Sequence, residues 1–480
     1  MKKWLVIGAA CLSFTFAGIS GVHAAPNIVN PKETYTYDRM TQDIKELAKN
    51  YPDIIRYKSI GKTPYGREQW AVSLGNGDST IFINGSHHAR EWLTSTLNMY
   101  MIEQYAKAYL SGSRFEGYDV RTVLSESTIW FVPMVNPDGV TLQQIGLPAF
   151  PQLVWSNLIK MNDGSRNFKR WKANAQGIDL NRQYPALWSS IKFPAKAPHW
   201  MNYKGSKPLQ TRENQQLVNF TYEIDPEIAV SYHTAGHILY WNFNTKPANL
   251  ARDKKLANTF SAITGYSQVK PVPNPSGGGY TDWFITTFGR PAFTPEIGIK
   301  EGETNLAVSV FDSEWKLNKK IGLWIADEGY RLWLKKNQSK LTVEEFNKQI
   351  MISENKPLFN SNNFISGSAG TIKPQVLKAV AKSGDWYKVE TPTGNKWLYD
   401  KKAVIVEPTP DEDTAPAGEA SDVDMTLQLE GETKVYTEPY TTEPKAVITL
   451  SEAHAMKMWG SWYKINTPIG DMWIYQKPAK

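Results

Sequence analysis

Apolar residues between about residues 32 and 350 form short continuous runs that alternate with stretches of helical periodicity. Met40, Ile44 and Leu47 fall on one face of a predicted helix, and Pro52 follows its end. Continuous apolar runs between helices are typical of strands that are covered on both sides. We therefore predict an α/β fold in which a mostly parallel mixed sheet carries helices on both faces.

Four of these runs end in residues that suit a functional site. Gly, Asn, Pro or His stands at or just after the end of each of them. In a sheet of this kind, ligands gather at the carboxyl ends of the strands, so we predict the site at that edge. The runs are STIFING (79–85), STIWFVPMV (127–135), EIAVSYH (227–233) and RPAFTPEIG (290–298).

An internal repeat follows residue 356. DWYKVETPTGNKWLYD (385–400) aligns without a gap with SWYKINTPIGDMWIYQ (461–476), at a separation of 461 − 385 = 76 residues. Each copy alternates apolar and polar residues around a Pro-x-Gly turn, which predicts a β-hairpin in a small barrel. The intervening segment is acidic and rich in Pro and Ala, as linkers are.

These patterns predict five segments along the chain. They are a signal peptide (1–25), an α/β domain (26–350), a first β-barrel repeat (357–408), an acidic Pro-rich linker (409–424) and a second β-barrel repeat (425–480).

The first residues, MKKWLVIGAACLSFTFAGISGVHAAPN, have the pattern of a secretory signal. A retained membrane anchor is the alternative, but the apolar stretch is short for one. We expect the protein to be secreted, extracellular or associated with the cell wall, with no membrane contact after cleavage. The only cysteine, Cys11, would leave with the signal, which excludes disulfides and thiolate chemistry in the mature chain.

The charge of the chain is modestly positive. Lys and Arg number 54 and Asp and Glu 47, and loss of two signal lysines leaves 52 − 47 = +5. The basic residues form no concentrated run, so we predict no nucleic-acid partner. Attraction to an anionic cell wall would fit the same balance.

The stretch NGSHHAREWLT (84–94) holds two of the seven histidines. His88 and Glu91, three residues apart, can point the same way from a turn that enters a helix and offer a nitrogen and an oxygen to one zinc ion. His233, at the end of EIAVSYH, would be the third ligand of a catalytic site with an open position. His87 and His237 remain rival ligands, or groups that orient a ligand.

A hydrolytic zinc site also needs a base for its water and a cation for the oxyanion. Glu296, in FTPEIG at a predicted strand end, is the candidate base, although a glutamate beside a proline is commonly a surface residue.

Six motifs occur in the order typical of one enzyme family. The chain resembles the zinc metallocarboxypeptidases of carboxypeptidase A type from about residue 32 to 340. The resemblance implies one zinc ion held by His88, Glu91 and His233, with Glu296 as the general base for a zinc-activated water. The motifs are GSHHAREWLT (85–94), NPDG (136–139), WKANAQGIDLNRQYP (171–185), YHTAGH (232–237), GGGYTDWF (277–284) and FTPEIG (293–298).

The same resemblance implies substrate-binding residues. Asn181 and Arg182 match the pair that holds the terminal carboxylate of the substrate, and a planar guanidinium suits that anion. Arg90 matches a subsite arginine. Thr281 stands where the family sets side-chain selectivity, which favours a polar substrate side chain.

The chain departs from the family pattern at two places. Lys172, with Arg170 nearby, replaces the arginine that polarises the scissile carbonyl, so its charge lacks the bidentate geometry. Asn274 replaces the tyrosine of a mobile loop, and Tyr280 is the candidate to take over the capping role.

The favoured function is a secreted, monomeric zinc metallopeptidase that acts on peptidoglycan stem peptides. YHTAGHILYW (232–241) resembles the branch that cuts the bond between γ-D-glutamate and diaminopimelate, and the repeats resemble bacterial Src-homology-three-like modules that bind cell walls. One alternative is a general metallocarboxypeptidase that releases C-terminal residues. Another is an inactive wall-binding protein.

Overall fold

The computed structural model describes residues 27–300, 302–406, 418–441 and 443–476. The chain divides into two compact units, Met1–Lys336 and Asn337–Lys480. The predicted signal segment lies outside the described residues. Within the described ranges, no helix has both the length and the apolar composition needed to cross a membrane.

The first unit alternates helices and strands, as predicted. Its helices are α1 (Tyr37–Asn50), α2 (Leu93–Ser111), α3 (Val120–Glu126), α4 (Pro137–Ile145), α5 (Trp155–Met161), α6 (Arg212–Ile224), α7 (Pro247–Thr264), α8 (Tyr280–Phe288), α9 (Phe311–Asn318) and α10 (Ile321–Asn337). Its strands are β1 (Ile55–Lys62), β2 (Glu68–Leu74), β3 (Ser79–Gly85), β4 (Arg114–Phe115), β5 (Tyr118–Asp119), β6 (Ser127–Val132), β7 (Ile228–Thr234), β8 (Ile238–Tyr240), β9 (Ser267–Gln268) and β10 (Ala292–Ile297).

Eight of these strands form one mixed sheet, in the order β1-β2-β6-β3-β7-β10-β8-β9. The four central strands β6, β3, β7 and β10 are mutually parallel, and they are the four predicted apolar runs. Antiparallel pairs flank them, because β2 pairs with β6 on one side and β8 with β10 on the other. The prediction of a mostly parallel mixed sheet is therefore confirmed.

Two apolar cores cover the two faces of the sheet. Ile81 and Ile83 of β3 point into a core shared with α1, α2, α3 and α10. Phe82, between them, points into the opposite core, which α6 and α8 complete. Since both faces are covered, the three successive central positions Ile81, Phe82 and Ile83 are all apolar, which explains the continuous run in the sequence.

Helix α1 confirms the periodicity of its sequence. Thr36 caps it by accepting a hydrogen bond from the backbone N–H of Arg39 at 3.1 Å. Met40, Ile44 and Leu47 are its buried apolar face.

The second unit consists of β-strands. Their bounds are β11 (Glu344–Ile352), β12 (Lys356–Leu358), β13 (Gly370–Ile372), β14 (Gln375–Ser383), β15 (Trp386–Val389), β16 (Lys396–Tyr399), β17 (Val404–Val406), β18 (Ser421–Val435), β19 (Ala446–Trp459), β20 (Trp462–Thr467) and β21 (Gly470–Tyr475). They form a five-stranded sheet, β16-β15-β14-β11-β17, a four-stranded sheet, β18-β19-β20-β21, and the pair β12-β13. All pairings between these strands are antiparallel in the described part of the chain, so the prediction of two small all-β modules is confirmed.

The repeated sequences form equivalent hairpins. Trp386 pairs with Tyr399 in the first module, and Trp462 pairs with Tyr475 at the corresponding positions of the second. Each hairpin turns at its Pro-x-Gly segment, as the sequence predicts.

The flanking strands lie outside the repeat, and the sequence did not reveal them. β11 contains the predicted domain boundary at residue 350 and pairs with β14 and β17, so it belongs to the first β module. β18 begins at Ser421, inside the predicted linker, while residues 407–417 lie outside the described part of the chain.

Candidate active site

The structure brings the three predicted metal ligands together. His88 and Glu91 come from the turn between β3 and α2, and His233 comes from β7. Their candidate ligand atoms all lie within 4.8 Å of one another. The Nδ1 atoms of His88 and His233 each lie 2.9 Å from an oxygen of Glu91 and 3.2 Å from each other.

A short 3₁₀ turn, Ala89–Glu91, places the first two ligands on one side. His88 is extended, with φ −97° and ψ 133°, and the turn follows it directly. The turn brings Glu91 back to the side of His88, so that Nδ1 of His88 and Oε1 of Glu91 lie 2.9 Å apart. The backbone N–H groups of Ala89 and Arg90 donate to the carbonyls of Lys172 and Trp171, both at 3.0 Å.

The NPDG motif stabilises this turn through hydrogen bonds. The Nδ2 of Asn136 donates to the backbone carbonyls of His87 at 3.0 Å and Ala173 at 3.1 Å. Its Oδ1 accepts from the N–H of Gly139 and caps α4. A Cβ at Gly139 would lie 2.5 Å from the carbonyl oxygen of Ala173, so only glycine fits there.

The donor set fits a zinc ion, which prefers imidazole nitrogens and a carboxylate oxygen at a catalytic site. Behind His88, its Nε2 lies 3.2 Å from Oδ1 of Asp179. With a metal ion bound, His88 would keep only the proton on Nε2, donated to Asp179, and Nδ1 would be the metal donor. Sequence reasoning missed this role, although Asp179 stands two residues before Asn181 in a quoted motif.

Cations around the ligands keep the carboxylates ionised. Burial alone would raise the pKa of Glu91, but the charges of His88 and Lys172 hold that pKa well below its usual range. Burial would likewise raise the pKa of Asp179, and the charge and hydrogen bond of His88 lower it instead. Both carboxylates are therefore negatively charged in this buried pocket.

The candidate base and cation lie beside the ligands. Glu296, on β10, is the register partner of His233 on β7, and both line the same cleft. The Nζ of Lys172 lies 3.2 Å from Oε1 of Glu91. Arg170 is occupied elsewhere, since it bonds Asn162 and Asp163 and stacks on Trp200 at 4.3 Å. Of these two basic residues, Lys172 is the one that reaches the ligand cluster.

Neither rival histidine contributes an atom to the ligand cluster. His87 is fully buried, with Nε2 2.8 Å from the hydroxyl of Tyr184, and its ring stacks 5.6 Å from that of His233. Burial lowers the pKa of His87 well below its usual value, so its ring is neutral. His237 instead lies 2.9 Å from Glu314.

A cleft of about 370 Å³ opens beside the ligands, and Asn181, Arg182 and Thr281 line it. Among the described residues, the guanidinium of Arg182 donates only to the carbonyl of Asn181, at 3.0 Å, which leaves most of its donors for a ligand. The hydroxyl of Thr281 lies 2.8 Å from that of Thr294. Arg90 is not among the lining residues, and its Nη1 donates to the carbonyl of Arg170.

Tyr280 cannot cap this cleft. Its side chain is fully buried, and its hydroxyl lies 3.1 Å from that of Thr221. The tyrosine that does line the cleft is Tyr240, which is 44% exposed and lies opposite Thr294 across β8 and β10. Sequence reasoning missed Tyr240, because a three-residue strand carries no readable period.

Comparison with known proteins agrees with this geometry. The family model described as zinc carboxypeptidase, peptidase M14, matches residues 40–321, so this chain belongs to that family of zinc metallopeptidases.

Two individual relatives match more than half of this chain. The chain is 33% identical over 302 residues to gamma-D-glutamyl-L-diamino acid endopeptidase 1 of Lysinibacillus sphaericus, covering 62% of this chain and 73% of that protein. It is 27% identical over 303 residues to an uncharacterised protein of Bacillus subtilis, covering 62% of this chain and 78% of that one.

A solved structure supports the fold. The crystal structure of thrombin activatable fibrinolysis inhibitor superposes with a TM-score of 0.52 at 14% identity and covers 64% of this chain and 77% of that one.

The contact between His88 and Asp179 generates a testable prediction. Asp179→Asn should weaken zinc binding by roughly 10- to 100-fold, because the amide holds the His88 tautomer less firmly. Competition with a chromophoric chelator measures this affinity.

Asp163→Asn is the matched control, since Asp163 makes a similar contact with His199, at 3.1 Å, outside the ligand cluster. Equal zinc affinity in the wild type and Asp179→Asn would contradict the assigned role.

Proposed function

We propose that this protein is a secreted zinc peptidase that hydrolyses the bond between γ-D-glutamate and a diamino acid in peptidoglycan stem peptides. The observation that carries the proposal is the 33% identity, over 302 residues, to a protein named for that activity. The family model spans residues 40–321, which include every residue of the candidate site. Charged and polar residues in the cleft beside the ligand cluster, among them Arg182 and Thr281, support it, because a diamino acid side chain carries charged groups.

The residues around the scissile bond divide the chemistry between them. A zinc ion held by His88, Glu91 and His233 would supply Lewis-acid chemistry to a water molecule and the scissile carbonyl. Glu296 accepts the proton of the attacking water and passes it to the leaving amine. Lys172 places a positive charge beside the carbonyl oxygen, where negative charge develops as the water attacks.

The cleft positions the residue on the amine side of the bond. Arg182 offers a planar guanidinium to a substrate carboxylate, and the amide of Asn181 stands next to it. The Oδ1 of Asn181 accepts from the N–H of Tyr280 at 3.0 Å, which orients its Nδ2 as a donor. The substrate is thereby fixed relative to Glu296, and such orientation contributes much of the rate acceleration in enzymes.

The two β modules would hold the enzyme near the cell wall. The secretory pattern of residues 1–25 and the mild positive charge of the remaining chain fit a protein that works outside the cell. Each module builds its own small core around an equivalent hairpin, so the two can offer two binding surfaces.

A general metallocarboxypeptidase is the second candidate function. The pair Asn181 and Arg182 favours it, because a site for a free terminal carboxylate serves any C-terminal residue.

Purified protein incubated with γ-D-glutamyl-diaminopimelate stem peptides should release the diamino acid portion, detected by mass spectrometry. Glu296→Gln should retain zinc and lower kcat by roughly 10²- to 10⁴-fold, because the amide cannot accept the proton. Cleavage of hippuryl-type peptides alone would reject the stem-peptide proposal. Zinc bound to both proteins with equal, negligible hydrolysis would instead support an inactive wall-binding protein.

Amidation of the terminal carboxylate of a substrate separates the two enzymatic candidates. An exopeptidase that depends on the contact between Arg182 and this carboxylate should lose roughly 10- to 100-fold in kcat/KM, the range of a charge-assisted hydrogen bond. A stem-peptide enzyme should still cleave a substrate whose diamino acid keeps a side-chain carboxylate. Steady-state kinetics on matched acid and amide pairs measure the difference.

Wall binding is tested by sedimentation with purified cell walls. The full chain should sediment with the walls, and a chain that ends at Lys336, the end of the first compact unit, should remain in the supernatant. Equal sedimentation of both chains would contradict a role for the modules.

A further inference from the structure

The cleft contains a carboxylate that the hydrolytic chemistry does not use. Among the described residues that line it, only Glu296 and Asp282 carry carboxyl side chains. Glu296 is the register partner of His233 and serves as the base. Asp282 lies in the first turn of α8, directly after Thr281.

One oxygen of Asp282 is available to a ligand. Its Oδ2 accepts a hydrogen bond from the backbone N–H of Gly279 at 3.0 Å, which caps the helix. Its Oδ1 accepts none from the part of the chain that the structure describes, and the side chain is partly exposed to the cleft.

The charge on Asp282 is incompletely compensated. Burial raises the pKa of Asp282 to about 6, although the Gly279 hydrogen bond and the charge of Arg182 act in the opposite direction. The group is therefore ionised above that pH while its hydration is reduced. A partly dehydrated carboxylate of this kind is strongly stabilised by a cation that binds in the cleft.

A second charged group of opposite sign lines the same cleft. Lys270 follows β9, is exposed, and has no partner among the described residues. The cleft therefore carries three charges suited to a ligand: Arg182, Asp282 and Lys270. A substrate residue with two carboxylates and one ammonium group matches these signs.

We infer that Asp282 binds the distal ammonium group of a diamino acid side chain and that Lys270 binds its distal carboxylate. The inference rests on the proposed function, since such a residue stands on the amine side of the cleaved bond. The inference assigns selectivity for the substrate side chain to Asp282 rather than to Thr281, because the hydroxyl of Thr281 already contacts that of Thr294.

Three substrates that differ only in this side chain test the inference. They end in diaminopimelate, with both distal groups, in lysine, with the ammonium alone, and in norleucine, with neither. Each is prepared with a γ-D-glutamyl and with a hippuryl group on the other side of the bond. kcat/KM is measured at about pH 8, where a carboxyl with a pKa near 6 is ionised.

Asp282→Asn should lower kcat/KM for diaminopimelate and lysine roughly 10- to 100-fold relative to norleucine, since a charge-assisted hydrogen bond is lost. The asparagine oxygen can still accept from Gly279, so the helix cap is preserved. Lys270→Gln should lower the value for diaminopimelate relative to lysine. Asp78→Asn, at an exposed position outside the cleft, is the control and should change none of these ratios.

The outcomes separate this inference from the proposed function. If Asp282→Asn lowers kcat/KM equally for all three substrates, or for none of them, Asp282 does not bind the ammonium group. If Lys270→Gln leaves the ratio of diaminopimelate to lysine unchanged, the contact assigned to Lys270 is wrong. If only the hippuryl series is cleaved but shows both effects, the inference holds and the stem-peptide function fails.

Discussion

The whole site depends on the parallel pairing of β7 between β3 and β10. Gly85 at the end of β3 is the partner of Tyr232, and Glu296 on β10 is the partner of His233. This register brings the turn that carries two candidate ligands beside the strand that carries the third, with the candidate base on the next strand. A slip of one residue would turn His233 to the opposite face of the sheet, because side chains alternate along a strand.

Hydrogen bonds from the backbone then fix the remaining groups around these strand ends. Asn136 links the turn before His88 to the segment that carries Lys172, and that segment also pairs with the turn itself. The cation is thus held at a set distance from Glu91 although it lies far away in sequence. Such rigid support matters because misplacement of a reacting group by one ångström lowers the rate strongly.

Electrostatic balance allows so many charges to be buried together. Glu91 and Asp179 would each be costly alone in this pocket, yet each faces His88, and Lys172 adds a further positive charge. The arrangement leaves the carboxylates ionised and the Nδ1 atoms directed at one point, which is the condition for metal binding. In the same cleft and among the described residues, Asp282 keeps one oxygen without a hydrogen bond and Lys270 has no side-chain partner, which supports the proposed division between residues that build the site and residues that bind a substrate.

Sequence alone determined the central strands, helix α1, the repeated hairpins and the ligand pair His88 and Glu91, because all of these depend on local spacing, whereas His233 was indicated by the family resemblance. The alternation of apolar residues and the motif H-x-x-E are properties of neighbours along the chain. Only the tertiary structure showed that Lys172, and not Arg170, lies beside the ligands. It also showed that Tyr280 is buried away from the cleft and that Tyr240, Asp179 and Asp282 lie at the site. Those roles depend on which side chains from distant segments come together in the folded chain. Local sequence patterns do not show that proximity.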